Sequence, residues 1–152
     1  KAGLILGFVM GISSLIVWTF MPPNPLSAFA FSPFANGGNF WSLLIAVVPR
    51  VLFPLIVRYI YDGLQPFISI FIKNSTASRV VNGVFSAAFG TLMHTIMVLG
   101  GIWIVFRNNG FLPAQYVEFI IMWAGVNAIV EMITAGIVGG LAVGRIRKAV
   151  AK

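Results

Sequence analysis

Acidic side chains are almost missing from this sequence. Of its 152 residues three are Asp or Glu, and charged residues of all kinds make up 9%. A soluble domain carries roughly 25% charged residues. So little charge, with 59% hydrophobic residues and a mean hydropathy of +0.99, describes an integral membrane protein. Cysteine is absent, which excludes a disulfide framework, thiolate chemistry and a Cys-ligated metal. The one histidine, His94, has no second His or Cys with which to form a zinc site. There is no GxSxG elbow and no P-loop, so no catalytic arrangement emerges and any ATP chemistry belongs to a partner.

What is present in quantity is long apolar runs. Four of them, over about 2–21, 40–64, 79–106 and 116–143, predict an all-α membrane domain spanning 1–152. They are too many for a signal peptide or a single anchor. The chain opens at Lys1 without a methionine and runs straight into an apolar segment, so N-terminal helices are expected to be missing. In the first run Gly3, Gly7 and Gly11 recur every four residues, a stripe that lets another helix approach closely. Residues 22–40 carry no charge, four prolines and four aromatics, which cannot continue a helix. Two readings stay open there: an ordered apolar lid, or a loop resting among headgroups on Phe29, Phe31 and Phe34. Gln65–Ile72 is too short to cross and is either interfacial or an extension of the second helix. Thr76 or Ser78 is available to cap the third.

The second run is the unusual one. It carries Arg50 at its midpoint, between Pro49 and Pro54. A guanidinium in hydrocarbon costs at least about 2.5–3.5 kcal/mol, so it must face protein, water or a counter-charge. Each proline lacks an N–H and frees the carbonyl four residues back, those of Ile45 and Arg50. Such carbonyls survive at that depth only where they line a cavity or find a neighbour. His94 lies mid-run in the third segment and Glu131 in the fourth, with Asn127 one turn from Glu131. Arg50 and Glu131 form either a closed ion pair or, with His94 and Asn127, a polar cavity in which the Arg50 fork takes a carboxylate or phosphate.

Apart from the mid-run Arg50, Lys and Arg divide eight to one. Lys1, Arg58, Lys73, Arg79, Arg145, Arg147, Lys148 and Lys152 lie on one side and Arg107 on the other. The eight mark the cytoplasm, which puts both termini inside and the 22–40 loop and Trp41 and Trp103 at the external face. Basic residues at segment ends also explain the net charge of +7 without nucleic acid.

The run KAGLILGFVMGISSLI, then FSPF with Gly37-Gly38, then WSLLIAVVPR and a helix ending in tyrosines, resembles the S components of energy-coupling-factor (ECF) transporters. These are vitamin-binding membrane subunits, and the pantothenate-type group is the nearest in look. The resemblance covers nearly the whole chain through loose, apolar motifs. It implies the last four helices of a six-helix bundle in a bacterial plasma membrane, working with a transmembrane coupling subunit and two ATPase subunits, which hold the ATP. The motif by which the family's first helix docks on the coupling subunit would precede this chain. The resemblance further implies a vitamin held near the external face under loops 22–40 and 107–115. The candidate substrate contacts are then Arg50, His94, Asn127, Glu131, Trp41, Phe34, Asn39 and Trp103. Arg50 favours an anionic ligand such as pantothenate; S components for pyridoxine or hydroxymethylpyrimidine look alike at this level. From other classes, a small proton-coupled exporter using Glu131, or an assembly subunit without a ligand, remains open.

The charge bias makes a topological prediction. A cysteine introduced at Asn36 should react with an impermeant thiol reagent from outside the cell, and one at Ser75 only from inside; the reverse labelling would overturn this orientation.

Overall fold

Helices account for every regular element of the computed structural model, which describes residues 2–108, 118 and 125–150. In order they are α1 (Ala2–Phe20), a 3-10 helix (Pro25–Ala30), α2 (Phe40–Phe71), α3 (Ser75–Phe106) and α4 (Gly125–Val150). Each of the four α-helices is long and apolar enough to cross a membrane, and among the described residues there is no strand. The protein is thus an all-α protein of membrane-spanning helices, as its composition requires.

Several boundaries differ from those legible in the sequence. The second helix runs on to Phe71 rather than stopping near 64, so Gln65–Ile72 belongs almost wholly to it. Pro66 removes one donor but does not end the helix, and Ile72 still donates to the Ile68 carbonyl at 2.9 Å. α3 begins at Ser75, and its cap is Asn74 rather than Thr76 or Ser78. The Asn74 side-chain oxygen accepts from the N–H groups of Thr76 and Ala77 at 2.9 and 3.2 Å. Asparagine is among the strongest N-caps and here wins over the threonine behind it. α4 continues to Val150, past the expected 143; its expected start at 116 and most of the 107–115 loop lie outside the described residues.

The chain forms two compact units. The first holds α1, the segment that follows it, α2 as far as Leu55 and α3 from His94. α1 stops at the Pro22-Pro23 pair, its last turn closed by Met21 N–H donating to Val17 at 2.8 Å. The uncharged segment then folds inward. Phe29, Ala30 and Phe31 pack with Ile45, Ala46, Val98, Leu99, Ile102 and Phe106 in one core. Buried hydroxyls serve its backbone: Ser42 Oγ donates to the Phe29 carbonyl at 2.6 Å, and Ser32 Oγ bonds Thr19 Oγ1 at 2.8 Å. Gly37, at φ 85°, supplies the left-handed residue for the turn into α2. α2 opens with a reciprocal cap: Asn39 Oδ1 accepts from Trp41 N–H at 2.9 Å while Asn39 N–H donates to Ser42 Oγ at 3.0 Å.

The second unit holds α2 from Ile56, α3 as far as Met93, and α4. Its α2–α3 contact is polar. Asn82, fully buried, donates to the Tyr61 carbonyl and to Gln65 Oε1, both at 2.8 Å. Gln65 in turn donates to Ser78, and Ser86 donates to Asn82 Oδ1. At 32 residues each, α2 and α3 measure about 48 Å against a hydrocarbon core of about 30 Å, so their joined ends can carry such groups beyond it. The α3–α4 contact is instead made of small residues. A Cβ added at Gly139 would come within 2.6 Å of the Ala87 Cβ and 3.0 Å of the Gly83 carbonyl oxygen. Without hydrophobic drive between helices in lipid, backbone approach of this kind is what holds them together.

This contrast is testable with one methyl group. Gly139→Ala should destabilise the protein by about 1–3 kcal/mol through overpacking. Gly63→Ala, where nothing lies within 4 Å, should be neutral or stabilise by up to about 1 kcal/mol. Unfolding in mixed detergent micelles measures both, and equal responses would contradict the packing described.

Candidate functional site

Arg50 and the groups around it form the candidate site, and all of them lie in the first unit. Pro49 cannot donate to the Ile45 carbonyl, and Arg50 uses that vacancy itself. Its Nη1 donates to the Ala46 carbonyl at 2.9 Å and, at a longer 3.4 Å, to that of Ile45. The carbonyl freed by Pro54 is that of Arg50, and Gly7 of α1 backs directly onto it. A Cβ at Gly7 would collide with this oxygen and lie 3.0 Å from the Val51 Cα, so only the α-hydrogens of glycine fit. They supply the weak C–H donor that a close helix pair offers a carbonyl. Both vacancies of the proline pair are therefore filled at Arg50, one by its side chain and one at its backbone.

The rest of the guanidinium is held by an aromatic. Its central carbon lies 5.6 Å from the centroid of the Phe31 ring, within cation–π range. Phe31 is itself fixed against Trp18 of α1 at a centroid distance of 4.7 Å. His94, within electrostatic reach of Arg50, packs edge-on against Phe53 at 5.6 Å. A hydrogen bond to a charged group contributes about 1.5–3 kcal/mol. The carbonyl contacts and the ring together match the insertion cost of about 2.5–3.5 kcal/mol. An acidic partner is thus not needed to keep Arg50 in place. Among the described residues its Nε and Nη2 make no hydrogen bond. Chemically, among the described residues, this is a cation with Nη1 engaged and its Nε–Nη2 edge unpaired.

Of the residues singled out in the sequence, the structure brings Arg50 and His94 into this unit together. Trp103 packs against its core, with the Arg107 guanidinium carbon 4.9 Å from its ring centroid. Asn39 is also there, but its side chain caps α2. Phe34 and Trp41 turn outward, 80% and 56% exposed. Glu131 and Asn127 belong to the second unit; Glu131 is exposed, and the Asn127 side chain lies outside the described residues. Phe31, Phe53 and Gly7 were not legible as site residues. Phe29 and Phe31 are buried, so they are not headgroup anchors, and the 22–40 segment is the ordered, packed element of the two alternatives. The signal was the alternation Ala28-Phe29-Ala30-Phe31, small residues spacing two rings that enter a core.

Helices of this length and composition, with an arginine held inside by backbone carbonyls, define a multi-span membrane protein. Over 140 residues the chain is 27% identical to the pantothenic acid transporter PanT of Lactococcus lactis subsp. cremoris. That alignment takes in 89% of this chain and 63% of the relative, so the chain spans less than two thirds of that protein's length. No family model matches the sequence, and no solved structure matches the chain.

Phe31→Ala should cost about 3 kcal/mol of stability, because the ring leaves both the core and the guanidinium. Phe34→Ala should stay within about 0.5 kcal/mol of the parent. Thermal unfolding in detergent that fails to separate the two would remove Phe31 from the site.

Proposed function

We propose that this chain is the vitamin-binding S subunit of an ECF-type importer. It would capture pantothenate at the external face for uptake driven by a coupling subunit and two ATPase subunits. The observation that carries the reading is Arg50, whose Nε–Nη2 edge, unpaired among the described residues, matches the one charged group of pantothenate, its carboxylate. The similarity to a pantothenic acid transporter supports it, as does the resemblance of the glycine stripe, the FSPF segment and the WSLLIAVVPR run to S components. In this reading the 22–40 segment closes over the ligand, with Phe31 joining that closure to the charge that binds it.

Arg50→Ala should weaken pantothenate binding by about 1.5–3 kcal/mol, the usual worth of a hydrogen bond to a charged group, while leaving the fold nearly intact. It should not change the affinity for panthenol, the alcohol that lacks the carboxylate. Arg50→Lys should not restore binding, since a compact ammonium cannot reproduce a planar fork. Calorimetric titration of each variant measures this. Equal loss for both ligands would remove the carboxylate assignment. ATP-independent uptake driven by a pH gradient in proteoliposomes holding this chain alone would point to a proton-coupled exporter instead.

A further inference from the structure

We infer that Pro49 is a positioning residue for anion recognition: by withholding an N–H it leaves the Ile45 carbonyl to anchor Arg50 Nη1, so that the Nε–Nη2 edge is the one presented to a carboxylate. The inference rests on the anion-binding reading of Arg50 given above.

The geometry separates the two prolines that flank Arg50. Pro54 acts on the backbone, because the carbonyl it frees faces Gly7. Pro49 acts on the side chain, because the carbonyl it frees lies 3.4 Å from Nη1, beside the 2.9 Å contact to Ala46. Ile45 and Ala46 are buried, at 6% and 0% exposure, so no bulk water replaces either acceptor. The Ala46 carbonyl is already the helical acceptor for the Arg50 N–H four residues on, so alone it holds the side chain with a shared oxygen. An N–H restored at position 49 would draw the Ile45 carbonyl back into the helix ladder and take away the unshared acceptor. With the guanidinium carbon over the Phe31 ring and Nη1 engaged, a carboxylate meets the fork side-on, through Nε and Nη2. A guanidinium fixed in advance loses less side-chain freedom when the anion arrives.

Pro49→Ala and Pro49→Leu both restore the N–H and differ in the side chain they add. Each should weaken pantothenate by roughly three- to tenfold, the worth of one hydrogen bond, while changing panthenol affinity less than twofold. Pro54→Ala should leave the ratio of the two affinities unchanged. Equal weakening for both ligands, or full retention of pantothenate affinity, overturns the inference and leaves Arg50 as the anion ligand. So does misfolding of both Pro49 variants while Pro54→Ala folds, since Pro49 would then serve the helix and not the guanidinium. If Arg50→Ala itself fails to separate pantothenate from panthenol, the anion reading falls and this inference with it.

Discussion

An apolar medium offers no hydrogen bonds, so every polar group placed in it must be met by another group of the protein. At Arg50 three such demands arrive together: a charge and two carbonyls released by proline. The structure answers them with one another. Nη1 takes the carbonyls of Ile45 and Ala46, and the Arg50 carbonyl takes the close approach of Gly7. The glycine stripe of α1 is thereby tied to the arginine of α2. The Cα–H of Gly7 faces an acceptor that would otherwise be unmet, and Gly11 lies over Val47 one turn along.

The two units meet the same constraint by different chemistry. In the first, an uncharged segment of aromatics and small residues fills the core, and serine hydroxyls serve the irregular backbone that such a segment exposes. In the second, helices are joined by the Asn82–Gln65–Ser78–Ser86 network on one side and by glycine contacts on the other. In that network both amide N–H groups of Asn82 and its Oδ1 are engaged within the protein, so it fixes register between α2 and α3. Arg50 differs: it is held through Nη1, and among the described residues its Nε and Nη2 have no hydrogen-bond partner. This difference, rather than polarity as such, is why the functional reading centres on the first unit.

Much of this was legible from residue types alone. Composition and run length determined that the chain is all-α and membrane-spanning, because a bilayer selects helices of about 20 apolar residues whatever their packing. Arg50 was legible as the centre of interest, because a charge between two prolines has no place in a plain spanning helix. That the 22–40 segment has structure followed from its lack of charge. What surrounds Arg50 was decided only by the tertiary structure. Phe31, nineteen residues earlier in the chain, reaches the guanidinium because the 3-10 helix turns Ala28–Phe31 inward, while Phe34 and Trp41 are left exposed. Glu131 looked like the natural counter-charge; within its own unit Arg50 meets two backbone carbonyls and a ring, partners that sequence spacing does not display. Helix ends also went their own way, Asn74 displacing Thr76 as cap and Pro66 being absorbed, because caps and kinks depend on which groups lie within hydrogen-bond reach once the chain has folded.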